Sequence, residues 1–311
     1  MIASLLDWLR LLRAPNHATA VADVLAGYLI VTHARAIEWP PAPLWWALAA
    51  SLGFYGAGMV LNDVFDAAID REERPERPLP SGRIALRTAA AAGTLLLTLA
   101  SLAACAAAFT ARSPWPALVG ALLTAAVWIY DRRAKSTGLG PAVMGSCRAL
   151  NWLLGMTAAG GPQESHQWLL PVGMGVYVMG ITLYARDEAG TSRSPALAVG
   201  TAIMGAGLAI AGLFPWAAVR AGAGIGGLAG SRLSTWGVLW CMLAASIIVR
   251  AILGILEPTG ARVRQAVGNA IMAIITLDAV LVLAACGEPW SILVLLLLVP
   301  FLFGRRIVSP T

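Results

Sequence analysis

The chain repeats one pattern along nearly its whole length: an unbroken apolar run, near the ~20 residues that cross a bilayer as a helix, followed by a short polar joint. The runs fall at 16–34, 44–65, 86–110, 115–130, 139–159, 168–186, 196–219, 235–256 and 266–286, with a shorter one at 290–303 that contains Pro300. Apolar residues are continuous within each run and do not alternate, the pattern of a helix in lipid and not of a barrel strand. Only 12 % of residues are charged and 59 % are hydrophobic, which leaves too few charges to cover a water-facing surface. The expectation is an all-α polytopic membrane protein: one domain over 1–311, a bundle of about nine transmembrane helices and a short tenth segment. The opening residues 1–14 read as an amphipathic helix on the membrane surface, with no cleavable leader.

Net charge is +6, and one lysine stands among 22 basic residues. On a soluble chain that balance would point to nucleic acid. Here the arginines sit in the joints, so no nucleic-acid partner is expected. The N-terminus and the joints after even-numbered spans are basic: Arg10 and Arg13, then Arg71, Arg74, Arg77, Arg83 and Arg87, then Arg132, Arg133 and Lys135. The opposite joints hold only Arg35, Arg112, Arg220 and Arg232. That bias places the N-terminus and the even joints in the cytoplasm, as in a bacterial inner membrane. Arg305 and Arg306 join that side if the tenth segment crosses. The four cysteines lie far apart without a CxxC pair and read as packing residues.

One joint is unlike the rest. Residues 61–84 read LNDVFDAAIDREERPERPLPSGRI. On a helix Asp63, Asp66 and Asp70 share a face at i, i+3 and i+7, and Asn62 stacks beside Asp66 at i+4. Three carboxylates on one stripe repel one another and need counter-charge, from arginines or from divalent cations. A solvated helix end paired with Arg71, Arg74 and Arg77 is the plainer alternative. Against it, the stripe begins at the end of an apolar span, where ionised groups are costly and functional. Its oxygens suit Mg²⁺, which takes one or two carboxylates and completes its shell with phosphate and water. The following arginines stand at proline-fixed positions, as in a loop that holds one shape. A diphosphate bound through Mg²⁺ would leave net negative charge, for which Arg77, Arg83, Lys135 and Arg148 are the candidate cations.

The run Asn62-Asp63-x-x-Asp66-x-x-x-Asp70, then Arg77-Pro78-Leu79-Pro80-Ser81-Gly82, resembles the first aspartate-rich motif of the UbiA superfamily of intramembrane prenyltransferases. Residues 12–29 resemble the family's first span and 145–155 its fifth. The resemblance implies helices around a central cavity, a cytoplasmic Mg²⁺–diphosphate site, a lateral opening to lipid, and transfer of an isoprenyl group from a prenyl diphosphate to an acceptor. It carries Asn62, Asp66 and Asp70 over as metal or diphosphate ligands with Asp63 in support. Asn16, Arg77, Lys135, Arg148 and Asn151 follow as substrate-binding or basic residues, and Tyr184 joins the substrate-binding candidates by its position near the proposed site. The second motif departs from the pattern: 182–194 offers Asp187 and Glu188 side by side, with Thr191 four residues after Asp187. Asp187 is the second-site metal and catalytic candidate. This reduced form is most similar to the EboC-like branch. It also motivates an alternative, a non-catalytic protein that binds or transports isoprenoid diphosphates.

Other polar residues inside spans have expected places. Asp23, seven residues after Asn16, should line the polar cavity wall. Arg250 and Asp278, in the eighth and ninth spans, should pair with each other. Trp128, Trp152 and Tyr184 are positioned to flank the reacting group or to pack the core.

Overall fold

The apolar runs fold as helices, joined where the sequence places its caps and prolines. The computed structural model describes residues 4–32, 41–186, 194–223 and 232–308. These form α1 (Leu5–Leu11), α2 (His17–Thr32), α3 (Ala42–Glu73), α4 (Leu86–Ala111), α5 (Trp115–Ile129), α6 (Gly140–Ala158) and α7 (Leu169–Tyr184). They continue with α8 (Ser194–Gly212), α9 (Phe214–Arg220), α10 (Arg232–Leu256), α11 (Gly260–Cys286), α12 (Glu288–Leu295) and α13 (Leu298–Ile307). No strand occurs among the described residues. α1 starts with a reciprocal cap: the Ser4 hydroxyl accepts the Asp7 N–H, and the Asp7 carboxylate accepts the Ser4 N–H. Prolines occupy the first turns of α3, α5 and α6, where no backbone N–H bond is lost.

Among the described residues, α2 to α8, α10 and α11 close a ring in which each packs on the next and α11 returns to α2. α6 also packs across the ring onto α2 and α3. Glycine makes that approach close. A Cβ on Gly155 of α6 would collide with the Val24 main chain, and one on Gly27 of α2 with the Trp152 carbonyl. Small residues at such crossings let helix backbones touch in lipid, where no hydrophobic force drives helices together.

Seven described helical segments are long and apolar enough to cross a membrane: 42–73, 86–111, 165–184, 195–220, 232–256, 260–286 and 288–307. This differs from the expected nine in both number and membership. α2 and α5 fall short at 16 and 15 residues, and α6 carries Arg148 and Asn151 through its middle. The tenth apolar segment qualifies. It starts beside the far end of α11, whose Cys286 thiol reaches the Leu29 carbonyl. It ends with Gly304 of α13 packed against Pro15 at the turn before α2. Arg305 and Arg306 therefore lie at the same end as the N-terminal turn, the side that the charge bias assigns to them.

α3 sets the height of the acidic stripe. Its 32 residues extend about 48 Å at 1.5 Å per residue, against a hydrocarbon layer of about 30 Å. The last three turns, from Asn62 onward, are the part that emerges. α1 folds over this end. Leu11 packs with Val60, Leu79, Ile84 and Ala89 in a small cluster beside the main core.

Candidate active site

The end of α3 carries a layer of charge whose partners come from three separate parts of the chain. Arg77 is buried, and its Nη1 lies 2.8 Å from Asp70 Oδ2 and 3.8 Å from Asp63 Oδ1. Asp63 Oδ1 also meets Arg13 Nη2 at 3.3 Å. Arg13 occupies the left-handed turn between α1 and α2, with φ of 48°. At one edge of the stripe, Lys135 Nζ sits 2.6 Å from Asp66 Oδ1 and donates to the Asn62 main-chain carbonyl at 3.3 Å. The carboxylate stripe is thus split. Asp63 and Asp70 are held by guanidiniums, while Asp66 faces the lysine. The proline-rich loop keeps its shape through Ser81, whose hydroxyl donates to the Arg77 carbonyl at 2.7 Å. Arg83 turns away from the stripe, to Asp7 of α1 at 2.8 Å and the Glu76 carbonyl at 2.7 Å.

Beneath this layer opens a cavity of about 180 Å³ between α2, α3, α5 and α6. Its walls are mainly apolar, with Phe54, Met59, Leu123, Val127, Met144 and Val178 among them. Arg13, Asn62 and Asp131 stand in the wall, as do Ser51, Arg148 and Asn151. The Asn151 amide donates to Asp23 Oδ2 at 2.8 Å and to the Ala20 carbonyl at 2.9 Å, and its oxygen accepts from the Ser51 hydroxyl at 2.7 Å. Arg148 pairs with Asp23 and donates to the Thr19 carbonyl and hydroxyl. Asp278 of α11 is fully buried against the same cluster. Arg148 and Asn151 therefore border the cavity with most of their hydrogen bonds already made inside the wall.

Several expected residues lie elsewhere. Tyr184 is buried outside this cavity, and its hydroxyl donates to the Ala251 carbonyl at 2.9 Å, a brace between α7 and α10. Asn16 ends the turn before α2, where its carbonyl takes the Thr19 hydroxyl at 2.8 Å. Asp278 joins Asp23 and Arg148, so the expected Arg250–Asp278 pair does not form; Arg250 lies with Arg262 in a groove of α10 and α11. Helical rotation separates the two, a quantity that span-level reading does not contain. Trp128 is exposed and meets Phe65 edge-on, and Trp152 is buried in the core. Asp187, Glu188 and Thr191 lie outside the described residues.

Two residues of the site escaped the sequence reading. Arg13 was counted as a topology charge. Asp131 was passed over beside three basic neighbours. It lies just beyond the end of α5, 2 % exposed, and accepts from Asn62 Nδ2 at 3.2 Å, while its other oxygen has no partner among the described residues. Burial pushes its carboxyl up to about 7, against the pull of the Asn62 amide and Lys135. The sequence signal was available: an acid among bases directly after an apolar run is costly unless it has a task.

The donor set fits a hard divalent cation completed by phosphate. Asp66 has one oxygen on Lys135 and a second that no hydrogen bond or ion pair takes among the described residues. The Asn62 side-chain carbonyl stands one helical turn before it, and Asn62 lines the cavity together with Arg13. Among the described residues, no three His, Cys, Asp or Glu side chains converge as a metal site by themselves. A Mg²⁺ ion would not need such a cluster, since it takes one or two carboxylates together with substrate phosphate.

Fold and site together define an integral membrane bundle with a charged mouth above an apolar cavity. The chain belongs to the UbiA prenyltransferase family, whose model matches residues 20–275. Digeranylgeranylglyceryl phosphate synthase of Ignicoccus hospitalis is 33 % identical over 135 residues, 42 % of this chain and 40 % of the relative. The synthase of Methanoregula boonei is 37 % identical over 150 residues, 48 % of this chain and 50 % of the relative. The match spans half or less of these curated relatives. Among solved structures, the apo UbiA homolog from Aeropyrum pernix K1 superposes with a TM-score of 0.64 at 22 % identity, covering 87 % of this chain and 98 % of that one. The UbiA homolog from Archaeoglobus fulgidus bound to GPP and Mg²⁺ superposes at 0.58 and 13 % identity, covering 86 % and 99 %. At these identities the structural likeness shows the fold.

Proposed function

We propose that the protein transfers an isoprenyl group, with Mg²⁺, from a prenyl diphosphate to an acceptor presented from the membrane, at a site on the cytoplasmic side. The carrying observation is the stripe of Asn62, Asp63, Asp66 and Asp70, with Lys135 and Arg77 attached, whose first residue, Asn62, lines an apolar cavity. Asn62 and Asp66 would hold the cation, with Asp187 as the candidate from the second motif. When bound, Mg²⁺ would neutralise charge on the diphosphate as the C–O bond breaks. Lys135 and Arg13 stand where they would stabilise the departing phosphate oxygens. Arg77 fixes Asp63 and Asp70 and so holds the end of α3 in shape. The cavity walls would take the isoprenoid tail and keep water from the allylic cation, which would otherwise hydrolyse. A glyceryl phosphate acceptor, of the kind named in the curated relatives, is the first to try.

The test is a radiolabelled prenyl-diphosphate assay on purified protein with candidate acceptors, with Mg²⁺ or with chelator. Transfer is expected only with the metal, and Asp66→Ala should lower it by at least about 100-fold, the scale for losing an electrostatic stabiliser. Normal turnover by Asp66→Ala would end this assignment. Tight Mg²⁺-dependent binding with neither transfer nor diphosphate release would instead favour an isoprenoid-diphosphate binding protein.

A further inference from the structure

Asp131 is an acid with no part in the mechanism above, yet it is buried at the mouth of the cavity. Its Oδ1 accepts from the Asn62 amide nitrogen at 3.2 Å, and its Oδ2 has no partner among the described residues. We propose that Asp131 is a positioning residue: it grips the NH₂ end of the Asn62 side chain so that the amide oxygen faces the cation position beside Asp66. The inference rests on the diphosphate–metal reading of the site.

The reasoning is geometric. A primary amide is planar, with donors at one end and an acceptor at the other. Only the acceptor end can bind a metal ion. Whether ionised or carrying its proton on Oδ2, Asp131 offers a lone pair at Oδ1, so the NH₂ end of Asn62 turns toward it in both states. The carbonyl end is left to point elsewhere, and Asp66 lies one turn on at i+4. Lys135 fixes the other two sides of the unit, joining the Asn62 main-chain carbonyl at 3.3 Å to Asp66 Oδ1 at 2.6 Å. Without Asp131 the amide is free to flip and present protons to the cation. Outer partners of this type hold metal ligands in orientation and tune affinity. The unpartnered Oδ2 also has a place in this account. A carboxyl buried with one empty oxygen is unfavourable for folding, and it is retained here for what it does to Asn62.

The test measures Mn²⁺ binding by electron paramagnetic resonance, with geranyl diphosphate present, on the full-length protein in detergent. Five proteins are compared: wild type, Asn62→Leu, Asp131→Leu, Asp131→Asn and the double variant Asn62→Leu/Asp131→Leu. Asp131→Leu should weaken Mn²⁺ binding about 10–100-fold, the range for outer-shell ligand partners. Asp131→Asn, whose amide oxygen can accept the same bond, should keep most of the affinity. The double variant should bind no more weakly than Asn62→Leu alone, because Asp131 acts only through Asn62. Should Asp131→Leu fail to fold, Asp131→Ser, too short to reach the amide, serves in the same comparison. Wild-type affinity in Asp131→Leu, or losses that multiply in the double variant, would overturn the proposal. If wild type itself binds no Mn²⁺ with the diphosphate, the parent reading falls and this one with it; binding by wild type and by Asp131→Leu alike removes the Asp131 role alone.

Discussion

At the scale of single residues, the molecule handles its buried charges in two ways. At the mouth, acids and bases alternate around a space left for ligand. In the wall, Asp23 and Arg148 pair with each other through Asp23 Oδ2, with side chains 0 % and 11 % exposed. Breaking such a pair from one side leaves an uncompensated charge in the interior. Arg148→Leu is therefore expected to destabilise the protein by about 3–5 kcal/mol, read as a lowered thermal midpoint in detergent. The paired change Asp23→Leu/Arg148→Leu should recover only part of that loss, because Asp278 of α11 stays buried beside it without a cation. A single variant as stable as wild type would show that the pair is solvated. The same pairing explains a limit of sequence reading. Arg148 and Asn151 were recognisable as unusual in an apolar run, but Asp23 consumes the hydrogen bonds that seemed available to substrate.

Among elements, α1 and the proline-rich loop act as a strap over the end of α3. Arg83 was expected near phosphate, yet it reaches Asp7 of α1, which also takes the Ser4 hydroxyl at 2.8 Å. The Ser4 hydrogen bonds, with Arg83 alongside, hold the Asp7 carboxyl below its ordinary value. A depressed carboxylate gives its full contribution above its unfolded pKa and loses it as pH falls through the lower folded value. Below about pH 3.9, the unperturbed aspartate value, the strap should therefore begin to loosen. At neutral pH, Asp7→Asn or Arg83→Ala should cost about 0.2–1 kcal/mol, as partly exposed ion pairs do, and should speed amide exchange in residues 5–11 with little change elsewhere. Unchanged exchange there would mean that Leu11 packing alone holds α1 down. The ends of α1 and α3 were legible because caps and prolines are local signals. The strap was not, since 76 residues separate its partners.

For the whole molecule, the cavity determines what can enter. Gly58 of α3 lines it, and a Cβ there would find only Val127, at 3.8 Å. The position has open space in front of it, unlike the glycines at the α2–α6 crossing. Gly58→Leu should therefore fill the cavity without pushing helices apart, and it should raise helix propensity by somewhat under 1 kcal/mol. The expected outcome is an unchanged or higher thermal midpoint, with prenyl transfer from long-chain diphosphates reduced at least tenfold and transfer from a five-carbon diphosphate kept. Equal loss for all chain lengths would place the tail elsewhere.

The run of apolar spans by itself determined that this chain is a helical membrane protein, because hydrocarbon tolerates only backbones that satisfy their own hydrogen bonds. The stripe from Asn62 to Asp70 and its proline-fixed arginine marked where the candidate site belongs, since carboxylates one turn apart must find counter-charge. Which cations answer which acids, that Asp131 stands behind Asn62, and that Arg148 turns to Asp23 were decided only when the helices packed. Each of those partners lies on another helix or turn, and its rotation and depth follow from how glycine and alanine faces let backbones meet. Spacing along one helix carries none of that information.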